Sequence, residues 1–286
     1  FDIVTYGKDG EIIIHDIVKK YAAKDFNRNS FLQDFEVLES IKGIVYRKNK
    51  VPIQTGPSEV IKNLDDLPFP ARDLMPMERY VPFPNAYKRL PATNMVLIRG
   101  CPYFCSFCSE ASTGARRRSP EKAIEEIKNC IEVHGIKEIH FWDDTLSYHR
   151  KWMKEFTTKL AEANLDITWT CFAAVNTVDK EILQLMAKSG CWRIFYGYET
   201  AVPSLAKNLL TNKKNRDLDN MKKIAQACIP IRCEGIVGST TTDRSCTTLI
   251  SPSPTANTPS SVIISPSPSN SATVGVSPSP SNSGTV

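Results

Sequence analysis

The sequence predicts an α/β fold in which helices alternate with the strands of a parallel sheet. Between residues 94 and 238, short apolar runs alternate with longer amphipathic segments at a regular interval, which is the pattern of βαβ units. The amphipathic segments also carry helix boundary signals: Ser119 and Pro120 stand at the start of one, and Gly135 stands at its end. Five strands can be counted before the pattern stops at Gly238.

The strands and helices are expected in a fixed order. The five strands are predicted in the segments NMVLIRG, IKEIHFWDD, DITWTCFAAV, CWRIFYGYE and IPIRCEGIVG. The four helices between them are predicted in SPEKAIEEIKNCIEVHG, RKWMKEFTTKLAEAN, DKEILQLMAKSG and NRDLDNMKKIAQAC. The third helix is expected to begin after a capping Asp179 and to end at Gly190.

The composition changes on both sides of this region. Residues 1–60 contain helix-like and strand-like pieces, and residues 61–93 are rich in proline, which prevents a continuous helix and predicts a linker wrapped on a domain surface. Residues 239–286 are an imperfect repeat of Ser, Pro, Thr and Asn, with no charged residue after Arg244. Because such a segment buries too little apolar surface to order itself, we expect it to be disordered, as a linker, a stalk or foreign sequence.

Composition and charge exclude several classes of protein. The chain has 286 residues, a net charge of +5 and nine cysteines, an odd number, which favours a reducing, cytoplasmic compartment over a small disulfide scaffold. No run of about 18 apolar residues predicts a membrane span. No nucleic-acid-binding signature accompanies the short basic runs, so a nucleic-acid partner is not expected. The N-terminal FDIVTYGKDG has neither an initiator Met nor a signal-peptide pattern, and we interpret the chain as a fragment.

Three cysteines cluster in the segment RGCPYFCSFCSE, directly after the first strand. The other cysteines of the α/β region are scattered and are interpreted as core residues. A structural zinc site normally takes four ligands, and no second short pair of cysteines is visible. Three thiolates suit a 4Fe–4S cluster with one iron left open to an exogenous ligand. The cluster residues would be Cys101, Cys105 and Cys108.

The spacing C-x3-C-x2-C, with the aromatic Phe107 directly before the last cysteine, resembles the signature of the radical S-adenosylmethionine (radical SAM) family. The resemblance implies a partial (β/α)6 barrel, here lacking its last unit, with the cluster at the carboxyl ends of the strands. It also implies that S-adenosylmethionine chelates the open iron and that one electron cleaves it to a 5′-deoxyadenosyl radical. The backbone near Phe107 would then help to shape the cofactor site.

Two aspartates resemble the family at the end of the second strand. Asp143 and Asp144, in FWDDTLS, lie where the family often places polar contacts to its cofactor or substrate. The alternative is that one of them simply caps the following helix.

The ends of the fourth and fifth strands also resemble the family. Glu199 and Thr200, in FYGYET, are similar to the G-x-E-S sequence, with Thr in place of Ser. Gly235, Ile236 and Gly238, in EGIVG, are similar to the G-x-I-x-G sequence that packs near the adenine. The alternative for these glycines is tight backbone packing, which is compatible with a cofactor role.

The segments before the barrel resemble the last part of an α/β cobalamin-binding domain and its linker, as in anaerobic magnesium-protoporphyrin ester cyclase-like and methyltransferase-like proteins. Two departures limit what this implies. The D-x-H-x-x-G loop that supplies the lower ligand of cobalt is absent, so cobalamin is expected in the full-length parent only. After the fifth strand, GSTTTDRSCTT stands where the family has a Pro-Gly-Glu-Thr loop and a sixth unit.

The resemblance implies a radical SAM enzyme, or a fragment of one, that transfers a methyl group or closes a ring at an unactivated carbon. It would need an external low-potential electron donor of the flavodoxin or ferredoxin type. The substrate class stays open among small molecules, lipids, tetrapyrroles and peptides. Two alternatives are a non-catalytic remnant that binds a cluster or zinc, and an RNA methylthiotransferase-like enzyme, although no RNA-binding module is visible.

Overall fold

A computed structural model describes residues 1–197 and 231–236. The chain divides into two compact units between Leu67 and Pro68. Within the described ranges, no helix combines the length and the apolar character that a membrane crossing requires.

The first unit is a three-stranded antiparallel sheet with three helices. Its elements are β1 (Ile3–Thr5), α1 (Gly10–Ala22), α2 (Arg28–Gln33), α3 (Phe35–Ser40), β2 (Ile44–Lys48) and β3 (Val51–Gln54). Strand β2 lies between β1 and β3. The hairpin between β2 and β3 turns at Asn49 and Lys50, both with positive φ (53° and 66°), as two-residue hairpins require. Alternate residues of β2, Ile44 and Tyr46, are buried in a core of their own.

The second unit contains the predicted parallel sheet. Its elements are β4 (Ala92–Met95), β5 (Ile98–Arg99), β6 (Arg116–Arg117), α4 (Pro120–His134), β7 (Glu138–Phe141), α5 (Arg150–Glu162), β8 (Thr168–Ala173), α6 (Lys180–Lys188), β9 (Cys191–Gly197) and β10 (Arg232–Ile236). Five strands form one parallel sheet in the order β4-β7-β8-β9-β10. This confirms the α/β class and a parallel strand in each of the five predicted segments. The first segment, NMVLIRG, is divided, because β4 ends at Met95 and Ile98–Arg99 pairs with β6 instead. The predicted helix NRDLDNMKKIAQAC lies outside the described residues.

Local signals set the helix boundaries as predicted. The Ser119 hydroxyl accepts the N–H of Lys122 (3.2 Å) at the start of α4, and Gly135 ends that helix with φ at 64°. The Asp179 carboxylate accepts the N–H of Ile182 (3.0 Å) at the start of α6. Each helix can then place its apolar face on the sheet.

The two faces of the sheet carry different side chains because neighbouring residues of a strand point to opposite sides. Ile139 and Phe141 of β7, and their neighbours on β8 and β9, are buried against the helices in one core. Glu138 and His140 of β7 point to the opposite, inner face. The inner face is the side on which a barrel would enclose its lumen.

The proline-rich segment is anchored on the second unit at the amino end of this inner face. Between residues 61 and 91 it forms only single 3₁₀ turns, as its prolines predict. The Glu138 carboxylate accepts the backbone N–H groups of Lys88 (3.0 Å) and Arg89 (2.9 Å). The Arg193 guanidinium donates to the carbonyl of Asn85 (2.9 Å). These bonds hold residues 85–89 against the amino ends of β7 and β9.

Candidate metal centre

The three clustered cysteines lie on a closed loop of residues 100–115. The short antiparallel pair of β5 and β6 joins Arg99 to Arg116 and brings the two ends of the loop together. The loop follows β4, so it lies at the carboxyl edge of the parallel sheet. Ligand sites on sheets and barrels of this kind form at that edge, because the loops after the strands converge there.

Backbone contacts fix the base of the loop. Gly100 has a φ of +85°, and a Cβ at this position would lie 2.0 Å from the carbonyl oxygen of Gly114. Only glycine therefore fits. The Thr113 hydroxyl accepts the N–H of Cys101 (3.0 Å) and donates to the carbonyl of Glu110 (2.9 Å). The hydrogen bond from its backbone N–H to Thr113 thus holds Cys101 in place.

The three thiols differ in their access to solvent. Cys101 is buried, Cys105 is half-buried and Cys108 is exposed. Burial raises the pKa of the Cys101 thiol, and the negative charge of Asp144 raises it further. The backbone N–H of Tyr103 and the Thr145 side chain hydrogen-bond this sulfur and partly offset the rise. Metals bind the negatively charged thiolate form of cysteine. A bound cation would therefore stabilise the thiolate of Cys101 against the effect of burial.

The donor set of the loop consists of three thiols. In the described part of the chain, no three His, Cys, Asp or Glu side chains converge closely enough to bind one metal ion. A zinc ion would need its ligands gathered at about 2.0–2.3 Å from one point. In a 4Fe–4S cluster each thiolate binds a different iron, so the sulfurs need not converge on a point. Thiolates are the usual ligands of iron–sulfur clusters, so the chemistry of these three side chains fits such a cluster.

Asp143 is buried behind this loop. Its Oδ1 accepts the backbone N–H groups of Leu97 (2.8 Å) and Ile98, so it joins the end of β7 to the chain that leads into the cysteines. Burial raises the pKa of Asp143 to about 7, although these hydrogen bonds oppose the rise. Oδ2 is also buried and has no hydrogen-bond partner among the described residues. A contact of Asp143 with the cofactor stays a prediction.

The alternative role for the two aspartates, capping the next helix, is wrong. The α5 cap is His149, whose Nδ1 accepts the N–H of Trp152 (3.2 Å). Asp144, directly after Asp143, is instead an exposed residue. Partial burial of its carboxylate raises its pKa, and the charge of Glu110 adds to the rise. Asp144 therefore interacts electrostatically with both Glu110 and Cys101.

The remaining predicted site residues are only partly described. Phe107 is exposed beside the second and third cysteines. Gly235 and Ile236 lie at the carboxyl end of β10, opposite Tyr196 and Gly197 of β9. The predicted residues outside the described ranges are Glu199, Thr200 and Gly238. Their contacts with a cofactor stay predictions.

Sequence reasoning missed two contributors to the site. Thr145 follows Asp144 directly, and its side chain hydrogen-bonds Cys101. In the sequence, only its position next to Asp144 could have indicated this contact. Tyr103 lies within the cysteine segment, and burial raises the pKa of its phenol, which hydrogen-bonds Asn176. Only the fold brings Asn176, from the end of β8, to the cysteine loop.

Comparison with known proteins identifies a family and several relatives. The Radical SAM superfamily model matches residues 95–245, slightly more than half of the chain. The uncharacterized methyltransferase PH0819 of Pyrococcus horikoshii is 33% identical over 171 residues, covering 59% of this chain and 36% of the relative. The anaerobic magnesium-protoporphyrin IX monomethyl ester cyclase of Cereibacter sphaeroides is 28% identical over 206 residues, covering 70% of this chain and 32% of the relative. The chain spans about a third of the length of these curated relatives.

A solved structure shows the same fold. The radical S-adenosylmethionine methyltransferase TsrM of Kitasatospora setae, bound to tryptophan and a S-adenosylmethionine analogue, matches with a TM-score of 0.62 at 16% identity. The match covers 82% of this chain and 45% of TsrM. A second structure of TsrM, with cobalamin and a [4Fe–4S] cluster, matches with a TM-score of 0.59.

Proposed function

This chain belongs to the radical SAM superfamily, an enzyme superfamily, and on that premise we propose that Cys101, Cys105 and Cys108 hold a 4Fe–4S cluster that binds S-adenosylmethionine at its open iron. We propose further that the reaction is a methyl transfer or a ring closure at an unactivated carbon. The named methyltransferase and cyclase among the relatives support this choice. The observation that carries the proposal is the closed loop that presents three thiols at the carboxyl edge of the parallel sheet.

When bound, the cluster and S-adenosylmethionine would supply a 5′-deoxyadenosyl radical. The residues of this chain position and protect that chemistry. Gly100 and Thr113 fix the base of the loop, and Asp143 ties the loop to β7. The Thr145 side chain, beside the Cys101 sulfur, opposes the rise in the pKa of that thiol and so favours its thiolate. An external low-potential electron donor, of the flavodoxin or ferredoxin type, would supply the electron.

Cobalamin is proposed as a cofactor of the longer parent protein only. TsrM binds cobalamin in one of its structures. The present chain contains no D-x-H-x-x-G sequence, so it does not supply a lower histidine ligand of that kind. Residues 1–60 would then be the end of a cobalamin-binding domain, and residues 61–93 its linker to the barrel.

The test is an anaerobic reconstitution with iron and sulfide, followed by reduction and EPR spectroscopy with and without S-adenosylmethionine. We expect a 4Fe–4S signal that shifts when S-adenosylmethionine is added and disappears in Cys105→Ala. The control is Cys130→Ala, because Cys130 is buried within α4 and away from the loop; its signal should persist.

Two results would contradict the proposal. An EPR signal of the cluster that does not change when S-adenosylmethionine is added would mean that the chain binds the metal without a working cofactor pocket, as a non-catalytic remnant would. Zinc in place of iron, in stoichiometric amount after reconstitution, would exclude the radical chemistry for this chain.

A further inference from the structure

A short part of the proline-rich segment carries a high density of exposed apolar side chains. We call residues 74–83 the apolar segment. Among the described residues of the second unit, five large apolar side chains lie there with much of their surface exposed: Leu74 (80%), Met75 (45%), Tyr80 (55%), Val81 (58%) and Phe83 (86%). Single exposed apolar residues are ordinary on a protein surface, whereas a concentration of them marks an interaction surface. The apolar segment is therefore a candidate docking surface.

Contacts on both sides of the apolar segment hold it in place. On one side, Arg72 is bound to Glu126 in a buried ion pair (2.8 Å). On the other side, the carbonyl of Asn85 accepts a hydrogen bond from Arg193 (2.9 Å). Between these anchors the backbone forms single 3₁₀ turns, and the two prolines of the segment restrict it further. The segment is thus preorganised, so little conformational entropy is lost when a partner binds it.

The apolar segment has no net charge. Its only charged residues are Glu78 and Arg79, and both are exposed. An anionic membrane surface attracts basic segments, and a strongly acidic or basic partner requires the opposite charge on the surface to which it docks. The chain as a whole carries a net charge of +5, and a neutral contact surface keeps the repulsion between two copies low. The charge of the segment therefore favours a second copy of the chain over a membrane or a highly charged partner.

By class of residue, the apolar segment reads the same from either end. Its sequence, LMPMERYVPF, has four apolar or aromatic residues, one acidic residue, one basic residue and again four apolar or aromatic residues. In a two-fold contact, residue i of one copy meets residue j of the other, and j meets i. Two segments that run in opposite directions about their midpoint would place Glu78 of each copy beside Arg79 of the other. The same arrangement brings Leu74 of each copy near Phe83 of the other, so the segment is complementary to itself.

The apolar segment also exposes enough surface for a weak but specific dimer. With about 150–200 Å² for each large apolar side chain, the five side chains expose roughly 600 Å² in one copy. Two copies that covered each other's apolar segment would bury about 1,200 Å² in total, which is the lower end of the range for specific, stable interfaces. Such an area corresponds to a contact of micromolar affinity rather than to an obligate dimer.

We propose that two copies of this chain form a homodimer through the apolar segment, with the two segments antiparallel about a two-fold axis between Glu78 and Arg79. The apolar side chains on either side of the axis supply most of the affinity, since they are removed from water on association. The two Glu78–Arg79 pairs fix the register and the direction of the contact. The inference is independent of the proposed function, because no residue of the cysteine loop belongs to the apolar segment.

The experiment is sedimentation equilibrium of the full chain over a series of concentrations. A non-thiol reductant is included, because Cys108 is exposed and could otherwise form disulfides between chains. We expect a monomer–dimer equilibrium with a dissociation constant in the micromolar range. Leu74→Ser and Phe83→Ser should each raise that constant about tenfold or more, since each substitution occurs twice in the dimer. Val133→Ser is the matched control, because Val133 is an exposed apolar residue of α4 outside the segment, and it should dimerise as the unsubstituted chain does.

Reversing the charges tests whether the contact is two-fold. Glu78→Arg and Arg79→Glu should each raise the dissociation constant several-fold, because each places like charges together twice in the dimer. The double substitution Glu78→Arg with Arg79→Glu exchanges the two charges and recreates both pairs, so it should restore the dissociation constant of the unsubstituted chain. All variants should keep its circular dichroism spectrum, since the replaced side chains are exposed.

Four results would overturn the proposal. A chain that stays monomeric up to about 200 μM has no such contact. A dimer with an unchanged dissociation constant in both Leu74→Ser and Phe83→Ser forms through another surface. A charge-exchanged double variant that dimerises as weakly as the single variants shows that Glu78 and Arg79 do not meet across a two-fold axis. A monomeric chain that binds phosphatidylserine vesicles, and loses this binding in Phe83→Ser, uses the apolar segment to contact a membrane instead.

Discussion

Arg72, from the proline-rich segment, forms a buried ion pair with Glu126 on α4, with Nη2 of the arginine 2.8 Å from Oε1 of the glutamate. Arg118 binds the other oxygen of the same carboxylate at 2.6 Å. Both arginines and the glutamate are less than a tenth exposed. One carboxylate therefore compensates two buried guanidinium groups and joins the segment to the chain that leaves the cysteine loop.

Replacing Glu126 with Gln should strongly destabilise the second unit. The substitution leaves two buried cations without a counter-charge, and breaking a buried pair in this way costs about 3–5 kcal/mol of the free energy of unfolding. Urea denaturation followed by tryptophan fluorescence measures this loss. Glu125→Gln is the control, because its exposed pair with Lys122 contributes little. Equal midpoints for the two variants would contradict the assignment.

Gly100→Ala should impair the cysteine loop. The left-handed φ of Gly100 and the 2.0 Å approach to the Gly114 carbonyl leave no space for a Cβ, so the loop must shift. We expect iron bound per chain after reconstitution to fall to roughly half or less, since a backbone clash cannot be relieved by a side-chain rotation. Gly114→Ala tests strain alone, because Gly114 also has positive φ but has open space around it. If Gly100→Ala binds as much iron per chain as the unsubstituted protein, this prediction is wrong.

Asp143 should make stability depend on pH. Its folded pKa of about 7 lies above the usual value of 3.8, so the folded state holds a proton that the unfolded state releases between these values. Stability should therefore fall as pH rises from about 4 to 7 and should level off above 7. Relative to Asp143→Asn, the unsubstituted chain should lose up to about 1.4 kcal/mol per pH unit between pH 5 and 7.

Urea denaturation at several pH values between 5 and 8 checks this dependence. Asp166→Asn is the control, because the bond to Arg89 holds the pKa of the Asp166 carboxyl below its usual value. That group stays ionised in both the folded and the unfolded state over this pH range. Parallel pH curves for Asp143→Asn and the unsubstituted chain would show that Asp143 does not hold the proton.

Glu138→Gln should release residues 85–89. Burial raises the pKa of Glu138, but hydrogen bonds from His140, Thr168 and the backbone outweigh it and leave the pKa below its usual value. The Glu138 carboxylate is therefore charged, and it accepts the hydrogen bonds from the backbone N–H groups of Lys88 and Arg89. Its loss should expose the Lys88 and Arg89 bonds to trypsin, with cleavage there several-fold faster than in the unsubstituted chain. Glu132→Gln, on the exposed face of α4, should leave the cleavage rate unchanged.

Signals within a few residues of one another made much of the fold predictable. Ser119, Gly135 and Asp179 act on backbone groups three or four residues away, so their roles could be read from the chain. The cysteine cluster could also be recognised in the sequence, because its three members lie within eight residues of one another. The cap of α5 was missed because His149 is not among the residue types that usually cap a helix.

Contacts between distant residues could not be predicted. Arg72 and Glu126 are 54 positions apart, and nothing local in either segment indicates that they meet. The inner-face position of Phe172 depends on the register of β8 with its neighbouring strands, since a slip of one residue would turn this side chain toward the helices. The sequence predicted for Asp143 either a contact with the cofactor or substrate or a helix cap, and only the fold shows that its carboxylate reaches Leu97 and Ile98.

The order of the strands also bears on how the second unit is assembled on the ribosome. In the described part of this sheet, β7, β8, β9 and β10 each pair with the strand of the same sheet that precedes them in the chain. Adding a strand therefore closes one crossover connection at a time, and the entropy cost of closing it grows only slowly with its length. The emerging polypeptide can dock each βα unit on a finished edge while the next is still being translated. The cysteine loop, which follows the first strand of this sheet, would then be in place before the later strands are added.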